Sequence, residues 1–314
     1  MADSSEQRSS EPNNVSFPAV EKPRDGDVNV LEKDLSPQNT THEACGCSNG
    51  PASTIPATPG TYVYVIGRIE PRFPNPSVEK EFVQATGRAD TKGLTDRETI
   101  HSVLSQKQNR YLVRQMCWVL TIEGLETYLL VPRDASDYDL LVESLRPTPR
   151  VTDVDIIIGV RGPMADPRMC NGLIVPIVMF DQTYSFDIDS LIKAVPRPQN
   201  IAAKQFNATV EDVFSRIAQM ADNAGLTDEH RALNYLSVRY QIIYSHTSEM
   251  FAKDFSLTSI EVRPSPLTAV RKVVDVIFAY TNRNTDVTEK YFVRVDVTEE
   301  FPFLVTKLSP YYDR

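Results

Sequence analysis

The feature that most constrains the fold of this chain is an abrupt change in composition near residue 60. The first sixty of its 314 residues contain seven prolines, nine acidic residues, four basic residues and a single aromatic residue, Phe17. Such a segment cannot bury enough apolar surface to offset the entropy that is lost on ordering. The sequence therefore predicts a disordered leader over residues 1–58 and a folded part over residues 59–314.

The composition of the whole chain argues against nucleic-acid and membrane partners. Its net charge is −9 and its pI is near 5.1. This acidity opposes the phosphate neutralisation that drives nucleic-acid binding, and an anionic membrane surface would repel the chain. No apolar run approaches the ~20 residues that cross a bilayer, and the first residues lack the basic and apolar regions of a secretory signal. We therefore expect a cytoplasmic protein with reduced thiols.

The pattern of apolar residues predicts an α+β fold. Val, Ile and Tyr crowd residues 61–70, which indicates a strand, and two β-prone runs, 111–122 and 125–131, flank an "EG" turn as in a hairpin. Helical periodicity dominates the stretch after the middle of the chain, and alternating strands follow it. This order predicts mixed and antiparallel sheets with packed helices, in two subdomains, 59–200 and 201–314.

Motifs of known catalytic chemistry are missing from the sequence. It contains no GxSxG nucleophile turn, no GxxxxGK[ST] phosphate loop, no GxGxxG dinucleotide motif and no HExxH zinc motif. A non-catalytic protein is therefore the favoured interpretation. The alternative is a peptide-modifying enzyme centred on His230, because the neighbouring carboxylates of Asp228 and Glu229 favour its protonated form.

The four cysteines raise the question of a structural metal. Cys45 and Cys47 form a C-x-C pair, but the second close pair that makes a zinc prediction strong is missing. Cys117 lies beside Trp118 in a β-prone run, which favours a buried thiol, and Cys170 lies in a Gly/Pro/Met-rich loop. We expect no cofactor. The alternative is a metal-stabilised structural module, in which Cys117 and Cys170 are the candidate zinc ligands.

Polar side chains in turns and at element ends are the candidates for binding. Loops on a rigid scaffold are the usual seats of function, although solvated turns and a docked terminus explain the same residues equally well. The candidates lie at the end of the first strand, in the first turn of a helix, in a turn between two late strands and at the C-terminus. They are Glu70, Arg72, His230, Arg231, Asn282, Arg283, Asn284, Tyr311, Tyr312 and Arg314.

The C-terminal run EEFPFLVTKLSPYYDR is too apolar for a frayed tail. Phe301, Phe303, Val305 and Leu308 recur at mostly alternating positions. This pattern predicts a strand that completes the C-terminal sheet and buries the face that these residues share. The alternative is a sheet edge that recruits an extended peptide or a partner subunit by strand addition.

Six long stretches of the sequence carry a resemblance to a known family. They are IGRIEPRFP, EKEFVQATGR, NRYLVRQMCWVLTIEGLETYLLVPRD, MCNGLIVPIV, QMADNAGLTDEHRALNYLSVRY and TNRNTDVTEKYFVRVDVTEEFPFLVTKLSPYYDR. Together they cover about residues 61–314 and resemble the C-terminal domain of unknown function of the cyanobactin maturation proteins PatA and PatG.

Cyanobactins are ribosomal peptides that are heterocyclised, cut from a precursor and macrocyclised. The resemblance implies an accessory protein that binds the precursor peptide, a maturation protease or a second copy of itself, as a homodimer. In that family the domain follows a subtilisin-like protease. The resemblance carries no catalytic residue over to this chain, because the protease domain is missing from it.

Overall fold

The computed structural model describes residues 61–87, 93–148, 150, 153–218, 223–267 and 270–312. The leader predicted over residues 1–58 lies outside the described residues. Within the described part of the chain, helices pack with mixed and antiparallel sheets, so the predicted α+β class is confirmed.

The first five described strands close into a small barrel, in the order β1-β2-β3-β5-β4. Neighbouring strands are antiparallel, except that β3 and β5 run parallel. The sequence predicts mixed and antiparallel sheets but does not indicate that one of them closes into a barrel. The strands are β1 (Thr61–Arg72), β2 (Cys117–Ile122), β3 (Leu125–Pro132), β4 (Asp153–Met164) and β5 (Pro176–Asp187).

Eight α-helices lie in the described residues, four among the barrel strands and four after them. Short 3-10 helices at Lys107–Asn109 and Ala135–Asp137 accompany them. None of the helices in these described ranges is long and apolar enough to cross a membrane. They are α1 (Pro76–Thr86), α2 (Asp96–Leu104), α3 (Arg110–Gln115), α4 (Tyr138–Ser144), α5 (Ile188–Ala194), α6 (Ala203–Ala218), α7 (Asp228–Arg239) and α8 (Ile242–Ala252).

Helix α3 corrects the predicted hairpin. The sequence places a strand from residue 111, but the chain is helical there and the strand begins at Cys117. Leu112 and Val113 are buried in the barrel core, and the indole N–H of Trp118 donates to the Val113 carbonyl at 2.9 Å. Tertiary packing thus overrides the β propensity of these residues.

The last four described strands form an antiparallel sheet in the order β6-β7-β8-β9. The central strand β7 is buried along most of its length, while β6 and β9 are the two edges. The strands are β6 (Phe255–Pro264), β7 (Val273–Asn282), β8 (Thr288–Asp296) and β9 (Phe303–Pro310).

The core has two main parts. One fills the barrel and is closed by α1 to α4. The other lies between the outer face of β1 and β4, the helices α5 to α8 and the inner face of the C-terminal sheet. This second part therefore includes residues from both sides of residue 200, for example Tyr64 and Phe278. The division into subdomains at residue 200 stays a prediction.

Helix α7 and the segment just before it are hydrogen-bonded to the barrel strand β1. The side-chain amide of Asn234, which is fully buried, donates to the Tyr64 carbonyl at 2.8 Å and exchanges hydrogen bonds with Asn223. The Tyr64 N–H donates to the Gly225 carbonyl at 2.9 Å. Gly225 has a φ of +65° and lies so close to Tyr64 that a Cβ would clash, which explains the glycine. These contacts fix α7, and with it the C-terminal sheet, against β1.

Candidate functional site

Strand β9 and the residues just before it present apolar side chains to solvent. Phe301, Phe303 and Val305 are 50%, 45% and 45% exposed, and the exposed Lys307 follows two residues later. We call these four residues the β9 strip. Adjacent large apolar side chains that stay in water are unusual on a folded protein and mark interaction surfaces.

The opposite phase of the strand faces the core. Leu304 and Leu308 pack against the buried cluster of α7 and the sheet, and Pro302 is buried. The sequence-based expectation that the two phenylalanines and Val305 share a buried face with Leu308 is therefore wrong. Lys307 is the signal that identifies the outward phase, because a lysine is almost never fully buried.

A stacked arginine borders the strip. The guanidinium carbon of Arg271 lies 5.2 Å from the ring centroid of Phe303, and its Nε donates to the carboxylate of Asp296, which is only 2% exposed. Burial acts to raise the pKa of Asp296, but the hydrogen bonds from Arg271 and Thr298 outweigh it and lower that pKa. Arg271 is thus held in place by an ionised partner, and Lys307 supplies a second cation further along the strip.

The outward face of the neighbouring strands β6, β7 and β8 also carries arginine side chains that lie close to aromatic rings. The strand register aligns Arg263, Asp275 and Arg294 in one row. Arg294 forms a 2.8 Å ion pair with the buried Asp275 and lies 5.0 Å from the centroid of the Phe292 ring. Arg263 lies 4.9 Å from the centroid of the Tyr311 ring, which is 5.6 Å from that of Phe292. The β9 strip therefore adjoins a set of mutually stacked side chains.

One amide of β9 is occupied by the side chain of Tyr240, the residue that follows α7. The Leu308 N–H donates to the Tyr240 hydroxyl at 2.9 Å. A strand that added itself to β9 would find this donor in use. The free edge of β9 is therefore partly occupied, whereas the side chains of the β9 strip stay exposed.

The sequence-predicted Arg231 lies behind the segment that leads into the strip. The residue is 2% exposed, and its guanidinium donates to the carbonyls of Val297 at 2.7 Å, Glu299 and, at 3.3 Å, Glu300. It also lies 5.3 Å from the centroid of the Tyr62 ring in β1. Arg231 is therefore a positioning residue that ties this segment to the barrel.

His230 lies in the first turn of α7, where its N–H donates to the capping hydroxyl of Thr227 at 3.1 Å. The carboxylate of Asp228, which the sequence places next to it, forms ion pairs with Lys272 at 3.4 Å and Arg231 at 3.7 Å. Asp228 therefore takes part in linking α7 to the start of β7.

The predicted turn residues Asn282, Arg283 and Asn284 form a self-contained turn between β7 and β8. The Asn282 side-chain oxygen accepts from the Asn284 N–H at 2.9 Å. The Arg283 Nε donates to the Ser256 hydroxyl at 2.7 Å, and its guanidinium carbon lies 5.5 Å from the centroid of the Phe251 ring. These contacts explain the three residues as structural parts of the turn.

The remaining predicted binding residues are divided between the barrel and the C-terminus. Glu70 is half-buried in β1, and Arg72 ion-pairs with Glu126 at a surface cleft of about 630 Å³. Tyr312 is 79% exposed beyond β9. Arg314 lies outside the described residues. The structure thus brings Arg231 and Tyr311 into the surroundings of the strip and leaves Glu70 and Arg72 on the other sheet.

Cys117 and Cys170 form a disulfide, with their Cα atoms 5.7 Å apart. Both are buried, which confirms the expected burial of Cys117, but the expectation of reduced thiols is wrong for this pair. Bonded sulfurs are not available as zinc thiolates. Cys45 and Cys47 lie outside the described residues, and within the described ranges no group of three His, Cys, Asp or Glu side chains is arranged to hold a metal ion.

Comparisons with known proteins agree on one family. The sequence matches the family model "PatG Domain" over residues 62–232 and the model "PatG C-terminal" over residues 200–311. None of the curated proteins matches the chain. A solved structure described as "PatG Domain of Unknown Function" has a TM-score of 0.66 and 19% identity, and the match covers 80% of this chain and 99% of that one. That likeness concerns the fold alone, but the PatG Domain model spans more than half of the sequence, and this chain therefore belongs to the PatG domain family.

Proposed function

We propose that this chain is a non-catalytic recognition domain of cyanobactin biosynthesis, which binds the precursor peptide or a maturation protease through the β9 strip. The observation that carries the proposal is the strip itself. Phe301, just before β9, and Phe303 and Val305 within it are about half exposed, while Leu304 and Leu308 anchor the strand in the core. Apolar side chains held in water in this way are the usual centre of a protein interface.

The surroundings of the strip define the chemistry of the partner. Aromatic side chains and arginine are enriched in protein interfaces, because they offer large contact areas and directional hydrogen bonds. Phe303 stacked on Arg271 has this composition, and Lys307 adds a second positive charge. We infer that the partner segment is apolar in the middle and carries acidic residues at its flanks.

The charged groups around the strip support a non-catalytic role. The buried carboxylates of Asp275 and Asp296 form ion pairs with Arg294 and Arg271. The guanidinium group of Arg231 donates hydrogen bonds to three carbonyl groups. These groups hold the sheet and its preceding segment in place. A cytoplasmic site of action remains a prediction, and the disulfide is a feature more common in oxidising compartments.

The test compares a strip variant with a matched control. Phe303→Ser with Val305→Ser removes two apolar side chains from the strip, whereas Val83→Ser removes one that is 60% exposed on α1. Fluorescence anisotropy with labelled precursor peptide, and surface plasmon resonance with the maturation protease, give the two dissociation constants. We expect the strip variant to lose at least about tenfold in affinity for one of the partners, and the Val83 control to bind as the parent does.

Several outcomes contradict the proposal. If the parent binds neither partner, or the strip variant binds both as tightly as the parent, the strip is not a recognition surface for them. If the strip instead binds a second copy of the chain, the parent forms a homodimer and the strip variant does not. Sedimentation velocity of the two proteins detects this difference. A His230-dependent mass change in precursor peptide incubated with the protein would instead favour the enzyme alternative.

A further inference from the structure

The loop that joins β4 to β5 is a closed unit on the outside of the barrel. The Ala165 N–H donates to the Val175 carbonyl at 2.8 Å, which holds the two ends of the loop together. We call residues 166–174, which lie between these ends, the β4–β5 loop. A compact loop with joined ends is an Ω-loop, a type of segment that is frequently functional. Because its ends are joined, the loop can change position while the two strands stay paired.

The barrel surface beneath this loop is apolar. The strand register places Val119 of β2, Leu129 of β3 and Ile177 of β5 side by side. Trp118 and Leu120, which alternate with Val119 along β2, face the barrel core, so Val119 and its neighbours belong to the outer face. Val119 and Leu129 are nevertheless buried, in a small cluster with residues of the loop and its ends. The loop therefore covers apolar side chains that would otherwise contact water.

Cys170 is the anchor of the β4–β5 loop. It is the one buried residue among these nine, whereas Leu173 is half-buried and the other seven are exposed. The disulfide joins Cys170 to Cys117, which lies on the same outer face of β2, two residues before Val119. A covalent bond thus passes from the centre of the loop to the surface that the loop covers.

Hydrogen bonds contribute little to this attachment. The N–H groups of Met169, Gly172 and Leu173 donate to carbonyls within the loop, at 2.7–2.8 Å. In the described part of the chain, the one backbone hydrogen bond that leaves the loop runs from the Asn171 N–H to the Pro74 carbonyl, at 3.1 Å. The loop is therefore folded by its own hydrogen bonds but is held on the barrel chiefly by the disulfide.

The disulfide can be reached from the surface of the protein. Cys170 lines the cleft of about 630 Å³ beside Arg72, and Asn171 and Gly172 of the loop line the same cleft. Thiol–disulfide exchange requires that a thiolate approach one of the two bonded sulfurs. The cleft has room for a small dithiol, so Cys170 carries the sulfur that such a reductant meets first.

We propose that the Cys117–Cys170 disulfide is a redox switch, which fixes the β4–β5 loop over the outer face of the barrel when oxidised and releases it when reduced. The reductant is a dithiol. One of its thiolates attacks the Cys170 sulfur, the bond between the two cysteines breaks, and the Cys117 thiolate leaves and takes up a proton. The second thiol of the reductant then attacks the mixed disulfide, which releases Cys170, protonated in turn, and oxidises the reductant to its disulfide.

Reduction changes what the barrel presents to solvent. The freed Cys117 thiol lies 3.4 Å from the Met169 carbonyl oxygen, so a weak hydrogen bond takes the place of a covalent one. The loop then leaves the barrel in a fraction of the molecules, and Val119, Leu129 and Ile177 become accessible. Contiguous apolar side chains at a surface mark interaction sites. The switch thus controls a second apolar surface, and it does not depend on the role proposed for the β9 strip.

Hydrogen exchange measured by mass spectrometry tests the switch. Full-length protein is compared before reduction, after treatment with dithiothreitol and after reoxidation, all at one pH. We expect the protection of peptides covering residues 165–175 to fall at least about tenfold on reduction and to recover on reoxidation, because the loop loses its covalent support. Peptides from the buried strand β7 are expected to keep their protection, since the rest of the fold persists.

Matched variants separate the switch from other effects of the reductant. Cys170→Ser is expected to exchange like the reduced parent without any dithiothreitol, and Cys117→Ser replaces it if that variant fails to fold. Cys45→Ser with Cys47→Ser leaves the disulfide in place and is expected to respond to dithiothreitol as the parent does.

Two results would overturn the switch. The first is equal protection of residues 165–175 in the oxidised and the reduced protein. The second comes from alkylation of thiols after dithiothreitol treatment, mapped by mass spectrometry. If Cys117 and Cys170 are alkylated only in denaturant, the disulfide is a permanent cross-link that the folded protein does not open.

Discussion

At the scale of single residues, Asn234 connects helix α7 to the barrel strand β1. It is fully buried, donates to the Tyr64 carbonyl and forms a reciprocal amide pair with Asn223. A buried amide of this kind contributes little while it is satisfied, but its loss leaves other groups without partners. The residue is therefore a point at which a small change has a large effect.

We expect Asn234→Ala to lower the free energy of unfolding by about 2–4 kcal/mol, because the Tyr64 carbonyl and the Asn223 amide each lose a partner at about 1–3 kcal/mol per group. Urea unfolding followed by the fluorescence of Trp118, the only tryptophan of the chain, measures the change. Asn207→Ala in the exposed face of α6 serves as the control. Equal effects of the two substitutions would refute the role of the buried pair.

At the scale of secondary-structure elements, β9 shows how an edge strand is kept from pairing with other chains. Tyr240 occupies the Leu308 amide, and Lys307 places a charge among the exposed apolar residues. Inserted charges and occupied edge groups are the usual protections against edge-to-edge association. The strip can therefore stay exposed while edge-to-edge pairing is opposed.

Replacing the charge is expected to remove this protection. Lys307→Val would extend the apolar strip to four residues, and we expect self-association at concentrations at which the parent does not associate. Sedimentation velocity over a concentration series detects the change, and Lys204→Val on the exposed face of α6 controls for the loss of one charge. An unchanged oligomeric state in Lys307→Val would show that the lysine has no such role.

Elements with strong local signals are predictable from the sequence, and those set by packing are not. Thr95 and Glu98 form a capping box at the start of α2, a spacing that is visible in the sequence, and the predicted "EG" turn joins β2 to β3 with Glu123 and Gly124 at positive φ. Helix α3 was missed, because its β-prone residues are held by the packing of Trp118. The sequence pattern groups Leu308 with the phenylalanines, whereas in the structure Leu308 packs against the core together with Leu304, and the β8–β9 pairing shifts register twice, which no local pattern indicates.

At the scale of the whole molecule, closure of the barrel is beyond sequence reasoning. It depends on parallel pairing of β3 with β5 and on the return of β4 to β1. Both pairings join segments that are far apart in the chain, and neither carries a local pattern that specifies it.

The disulfide is a second feature of the whole molecule that composition did not reveal. It closes a chain separation of 53 residues between β2 and the loop before β5. Cross-links of this length typically stabilise by about 2–4 kcal/mol. We expect Cys117→Ala with Cys170→Ala to lower the free energy of unfolding by about this amount, measured by urea unfolding of protein kept oxidised.

The matched control for the disulfide is Cys45→Ala with Cys47→Ala, which leaves the bond in place. Thiol titration in denaturant gives a second measurement: two free thiols before reduction and four after it, since the chain has four cysteines. Four free thiols in untreated protein, or an unfolding free energy that the Cys117 and Cys170 substitutions do not change, would contradict the disulfide.

The hydrogen bond between α7 and β1 also delays completion of the fold while the chain is being synthesised. The Tyr64 carbonyl and the Asn234 amide that bind each other are 170 residues apart. At a synthesis rate of about 5–20 residues per second, roughly 10–35 s pass before the helix emerges to cover the strand. During that interval the nascent chain presents the side chains of Tyr64 and Ile66 to solvent, and we expect it to be a client for chaperones until α7 arrives.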